Sequence, residues 1–237
     1  MNSIDTRIEA INWPLVTNTM NTNGYAIIPG LVHLDECNTL IENYGATGSY
    51  RKTVVMERHR FGQGEYKYFL YPLPQIIQQL RVQVYPKLAP IANNWMRVLN
   101  IQTTFPDSFA ALQQLCHDNT QDKPTALILK YGPGGFNTLH QDLYGDVYFP
   151  MQMVVFLSEP GEDYTGGEFV LTEQVPRAQS KAIVLKPRKG DVLIFTTNFR
   201  PVKGTKGYYR VNMKHGVSAL HTGGRYTLGV IFHDALS

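Results

Sequence analysis

Hydrophobic positions along the chain follow two periods. In DECNTLIENYG (35–45) the residues Cys37, Leu40, Ile41 and Tyr44 recur at spacings of three and four, which lines one face of a helix, and Gly45 supplies a stop signal. Between Pro74 and Leu99 a longer stripe, Ile76, Ile77, Leu80, Val84, Leu88, Ile91, Ala92 and Trp95, predicts a second helix. Pro86 and Pro90 are expected to break or kink it, because each removes a ladder hydrogen bond and crowds the preceding turn. FAALQQLCHD (109–118) predicts a third helix, with Pro106 in its first turn.

From about Thr125 the period changes. TALILKYG, MQMVVFLS, GEFVL, AIVLKP, DVLIF and YTLGVIFH are short runs rich in β-branched and aromatic residues, set off by glycine or proline, and read as strands. No helical segment of the length a crossover needs lies between them, so an antiparallel barrel or jelly roll is expected rather than a parallel sheet. No repeat or low-complexity linker interrupts the 237 residues. The expected organisation is a single domain over 1–237 of α+β class, helical over about 1–124 and β over about 125–237, with the helices packed outside a β core.

Composition narrows the class. With 43% hydrophobic and 17% charged residues the chain is neither disordered, collagen-like nor a coiled coil. The opening MNSIDTRIEAINWPLVTNTMN mixes acids and asparagines into every apolar run, unlike a secretory signal or transit peptide. The run MVVFL (153–157) is too short to cross a bilayer, so a soluble cytoplasmic protein without membrane contact is expected. Cys37 and Cys116 are isolated and are given no role. The net charge of +3 conceals an asymmetry: between Arg177 and Lys214 ten basic residues face one acid, Asp191. Such a region can attract a polyanion; a solvated face with lysines on loops is the alternative.

Candidate chemistry starts at TLHQDLYGD (138–146). On an extended backbone residues i and i+2 share a face, so His140 and Asp142 can converge on one point while Gln141 looks away. The same spacing occurs at His33-Leu34-Asp35, but that copy stands at the start of a helical stripe, where Asp35 suits a cap or a first-turn charge. His215, on a later strand, offers a third ligand. Two histidines and one carboxylate on one face of an iron leave the opposite face open. Ten residues on, Arg225 opens the last strand with a guanidinium able to grip a carboxylate through two hydrogen bonds. His221 reads as a loop or substrate-side residue and His233-Asp234 as a closure of the core. Gly134-Gly135 and Gly166-Gly167 read as turns, since no Lys-Ser/Thr follows them at a helix start. Tyr66, Tyr68, Tyr71 and Tyr144 can stack on a planar substrate or can be ordinary core.

H-x-D, a distant histidine and an arginine ten residues later, within a short-stranded C-terminal half, resemble the Fe(II)/2-oxoglutarate-dependent dioxygenases. KYGPGG, YTGGEFVL and PRKGDVLIF fit the same superfamily. Together with FGQGEYKYFLYPLP, EQVPRAQSK, RPVKGTKGYYRV and GVIFHDA they resemble one little-characterised bacterial family of such oxygenases, suggested to act on damaged nucleic acid. The resemblance implies a double-stranded β-helix fold, with Fe(II) held by His140, Asp142 and His215, and 2-oxoglutarate and O2 as cosubstrates. It makes Arg225 the partner of the distal 2-oxoglutarate carboxylate, and Tyr131 a further cosubstrate contact, by likeness to alkylation-repair dioxygenases of the AlkB type. Those enzymes carry a second arginine six residues past the first; here that place holds Ile231. The implied activity is hydroxylation or oxidative demethylation, with modified nucleic acid, bound through the basic region 177–214, as the candidate substrate. An amino acid, peptide or small metabolite is the second reading, and a β-barrel that binds a metal or ligand without turnover the third.

Overall fold

A computed structural model describes residues 2–236. Helices α1 (Ile4–Glu9) and α2 (Trp13–Asn23) precede strand β1 (Tyr25–Ile28) and helix α3 (Leu34–Glu42). Strands β2 (Tyr50–Val55), β3 (Gly62–Gln63) and β4 (Glu65–Phe69) follow, then helices α4 (Gln75–Val98) and α5 (Phe109–Asp118). Eleven further strands complete the chain: β5 (Leu127–Tyr131), β6 (Phe136–His140), β7 (Met151–Phe156), β8 (Tyr164–Gly166), β9 (Phe169–Gln174), β10 (Lys181–Leu185), β11 (Val192–Thr196), β12 (Phe199–Gly204), β13 (Gly207–Val217), β14 (Leu220–Gly223) and β15 (Arg225–Ile231).

Two antiparallel sheets form the body. One runs β1-β11-β7-β15-β5-β4-β2, the other β10-β9-β13-β6-β3 with β12 beside β13, and β14 pairs β8 in a small ribbon. The sheets face each other as a jelly roll and do not close into a barrel. Among the described residues no helix is long and apolar enough to cross a membrane.

The side-chain period of two explains the layers. Along β7, Met151, Met153 and Val155 belong to the large cluster shared with the helices, whereas Val154 and Phe156 join Phe169, Leu171 and Met213 of the facing sheet. In β11, Val192 and Ile194 face the helices and Leu193 and Phe195 the second sheet. Both faces of these strands are buried, so they read as unbroken apolar runs instead of alternating ones. Cys37 and Cys116 are buried and unpaired.

Three expectations need correction. The stretch 1–124 is not purely helical: β1, β2 and β4 extend the first sheet and β3 the second. These strands are only two to six residues long, too short to set up a clear period. Pro86 and Pro90 do not break α4. The carbonyls they free are those of Val82, which is exposed, and Pro86, which is half-buried, so water can reach the first. The buried stripe from Ile77 to Met96 offsets the roughly 3 kcal/mol a helical proline costs. Pro106 lies outside α5, whose N-cap is Ser108, with its Oγ accepting from the Ala111 N–H at 3.2 Å.

His233 and Asp234 close the core as expected. Asp234 is 1% exposed and pairs with the fully buried Arg81 at 2.7 Å. The Tyr71 hydroxyl donates to Asp234 at 2.8 Å and accepts from Arg81 Nη1 at 2.7 Å, while Arg81 Nη2 also reaches the Phe232 carbonyl. Arg81→Met strands the Asp234 carboxylate in an apolar interior, so urea unfolding is expected to show a loss of about 3–5 kcal/mol.

Candidate functional site

His140 ends β6 directly opposite His215 of β13 in the antiparallel register, and Asp142 follows two residues beyond the strand. Strand pairing therefore brings together two imidazoles 75 positions apart, with ring centroids at 4.2 Å. Asp142 Oδ1 is 3.5 Å from His140 Nε2, and Oδ2 is 3.3 Å from His215 Nε2. One donor atom from each of the three lies within 4.8 Å of the others. Gln141 turns away, its amide donating to the carbonyls of Asn198 (2.8 Å) and Met213 (2.9 Å). The second triplet, His33-Leu34-Asp35, opens α3 far from this cluster in the sequence, with Asp35 and Glu36 in the first turn and Glu36 accepting from the His33 N–H.

Neighbours orient the three donors. His140 Nδ1 donates to the Thr138 carbonyl at 2.7 Å, which leaves the Nε2 lone pair toward Asp142. Asp142 is buried and accepts from the Tyr144 hydroxyl and from Gln152 Nε2, each at 2.8 Å. Burial alone would raise its pKa, but the hydrogen bond to His215 and the charges of both histidines hold the carboxyl well below the usual range. Burial, followed by the neighbouring His215, lowers the His140 pKa, while Asp142 opposes the shift. The His215 ring is flanked by Phe169, near-parallel at 6.0 Å, and Phe195, edge-on at 4.8 Å. Two imidazoles and a carboxylate with open space beside them can hold a ferrous ion through one face.

That space is a cavity of about 310 Å³ between the sheets. Alternate residues of β15 (Arg225, Thr227, Gly229, Ile231) and β5 (Leu127, Leu129, Tyr131) line it, as do Tyr66, Tyr68 and Tyr144. Tyr71 does not; it belongs to the Asp234 cluster. Arg225 is 1% exposed, with Nε and Nη1 lacking any partner, and the Tyr131 hydroxyl opposite it is also buried and unpartnered. The rings of Tyr131, Phe156 and Tyr164 lie near the guanidinium, at 5.5–5.9 Å. An uncompensated buried cation is costly, so a bound carboxylate is the chemistry that would satisfy it. Gly167 makes room for this side chain: at φ +62° a Cβ would stand 2.5 Å from Leu220 Cδ1 and 3.1 Å from Arg225 Cδ.

His221 lies on β14, exposed and outside the cluster. Gly134, Gly166 and Gly167 have positive φ; Gly134 sits in a turn as expected, whereas Gly166 ends β8, paired with Leu220 of β14, and Gly167 follows it. The basic stretch 177–214 contributes no residue to the cavity wall. Three of its cations are bound to distant acids: Lys186 to Glu168, Arg188 to Glu159 and Arg200 to Glu173. Sequence reasoning missed Gln152, although an amide inside the otherwise apolar and fully buried MQMVVF is an anomaly that points to a site.

Residues 64–235 match the family Oxygenase-NA, described as "Oxygenase, catalysing oxidative methylation of damaged DNA". An uncharacterised protein of Mycobacterium tuberculosis, found in strains H37Rv and CDC 1551 / Oshkosh, is 47% identical over 167 residues, 70% of this chain and 72% of that one. Similar solved structures include a Pseudomonas putida prolyl-4-hydroxylase (TM-score 0.55, 14% identity, 92% of this chain and 96% of that one). A Burkholderia pseudomallei oxidoreductase of the 2OG-Fe(II) oxygenase family is similar at TM-score 0.54 and 13% identity, over 95% of this chain and 94% of that one. These likenesses show the fold, and the family match covers well over half of the chain. The chain thus belongs to the Oxygenase-NA family of oxygenases.

Proposed function

We propose that this oxygenase oxidises a modified base in nucleic acid, with His140, Asp142 and His215 as its iron ligands and Arg225 and Tyr131 as its 2-oxoglutarate contacts. The observation that carries the cosubstrate assignment is the buried, unpaired Arg225 guanidinium on the wall of the cavity that also holds the triad. When bound, iron and 2-oxoglutarate supply the oxidising power, with O2 and 2-oxoglutarate converted to succinate and CO2 as a substrate C–H bond is hydroxylated.

The chain's own residues bind and orient. Arg225 would receive the distal carboxylate in two parallel hydrogen bonds, with the Tyr131 hydroxyl beside it. Gln152 and Tyr144 hold the Asp142 carboxylate in one orientation from opposite oxygens. The apolar wall of Leu127, Leu129, Val154 and Ile231 keeps bulk water from the reacting centre. Tyr66, Tyr68 and Tyr144 offer aromatic surface to a planar base. The family description and these aromatics support nucleic acid over a small metabolite.

The test is succinate formation with Fe(II), 2-oxoglutarate and oligonucleotides bearing N-methylated bases. Modified oligonucleotides are expected to stimulate succinate and release formaldehyde, with stimulation that falls steeply as salt rises, because binding to phosphates displaces counterions. Stimulation by a neutral small molecule, indifferent to salt, would replace nucleic acid with a metabolite.

A further inference from the structure

The cavity mouth carries charge too sparse in the sequence to form a run. There the turn Met56–His59 and the residues after it project Arg58, His59, Arg60 and Phe61, all exposed. This turn is not loose: the Phe61 carbonyl accepts from the Thr138 N–H at 2.9 Å and from its hydroxyl at 2.8 Å, two residues from His140. Phe61 is 45% exposed, lines the cavity and stacks on His59 with centroids 5.3 Å apart.

Beside it lies an adjoining hollow of about 270 Å³ that shares Phe61, Tyr66, Tyr68 and Tyr144 with the main cavity and adds Arg51, Lys52 and His59. Arg51 lies over the Tyr68 ring at 4.6 Å and keeps one buried guanidinium nitrogen, Nη2, without a partner. Arg51 and Lys52 belong to β2, the free edge of the larger sheet. From residue 51 to 61 four cations face one acid, Glu57, and among the described residues none of the four is paired with a carboxylate.

Free cations interleaved with exposed aromatics, leading into a cavity lined by tyrosines, form the pattern that tracks a phosphate backbone and stacks bases. Resting on the nucleic-acid reading above, we infer that Arg51, Lys52, Arg58 and Arg60 form the docking edge for single-stranded nucleic acid, delivering one base past Phe61 to the triad. A base stacked within a duplex cannot enter such a cavity without leaving the stack, which favours a single strand. The basic stretch 177–214 is less suited, since its cations include three held in ion pairs and none lines the cavity or the adjoining hollow.

The test is fluorescence anisotropy with labelled single-stranded DNA and RNA across a salt series. Lys52→Gln/Arg58→Gln/Arg60→Gln is expected to bind more weakly and to reduce the slope of log affinity against log salt by about 2, or about 0.7 for each phosphate no longer neutralised. Arg58→Lys/Arg60→Lys is expected to bind as the native protein, and so is Lys203→Gln/Lys206→Gln. Arg58→Glu, at an exposed position, carries the same test should the triple variant not fold. Native-like binding and slope in a triple variant with an unchanged melting temperature would overturn this edge while leaving a nucleic-acid substrate in place. Failure of the native protein to bind either strand at low salt would overturn both.

Discussion

Asp142→Ala is expected to fold yet form no iron-dependent succinate above background, under conditions where His33→Ala behaves as the native protein. The two histidines share their spacing to an aspartate, but only His140 faces another imidazole across a strand pair. Loss of residues that merely orient a metal ligand commonly costs about 10–100-fold in affinity or activity, so loss of the carboxylate itself should exceed about 100-fold. Asp142 also accepts from Tyr144 and Gln152, so a fold check by thermal melting accompanies the assay. Equal loss from Asp142→Ala and His33→Ala would mean that neither triplet had been read correctly.

The second large effect concerns Arg225, where binding and stability should move in opposite directions. Two charge-assisted hydrogen bonds at roughly 1.5–3 kcal/mol each imply that Arg225→Met weakens 2-oxoglutarate by at least about 100-fold. Without cosubstrate, the same change removes a buried cation that no carboxylate compensates, so the melting temperature should hold or rise. The aromatic rings at 5.5–5.9 Å oppose this by about 2 kcal/mol, less than the cost of an uncompensated buried cation. A variant that binds 2-oxoglutarate normally but unfolds readily would assign Arg225 a purely structural role.

Much of the site was legible because its chemistry is local or depends on period. His140 and Asp142 sit two apart at the end of a strand, Gln141 looks away as an extended backbone requires, and Arg225 and Tyr131 meet because β15 pairs with β5. Three other features depend on tertiary neighbours that a linear reading cannot supply. Gln152 gains meaning only once β7 lies beside Asp142. The basic run 177–214 loses part of its free charge to Glu159, Glu168 and Glu173, which come from earlier segments. Arg51 and Lys52 reach the hollow beside the cavity because β2 lies on the sheet edge beside β4. The strands before residue 124 were missed because they are short: EYKYF alternates as a strand does over only five residues, and its pairing with β2 and β5 is what makes it one.

The central claim is that one ferrous ion and one 2-oxoglutarate share this cavity, and calorimetric titration under anaerobic conditions measures it most directly. The account predicts a single Fe(II) bound per chain, 2-oxoglutarate binding that requires the iron, and loss of both steps in Asp142→Ala but only the second in Arg225→Met. Iron binding in Asp142→Ala equal to that of the native protein, or 2-oxoglutarate binding that ignores both iron and Arg225, would contradict it.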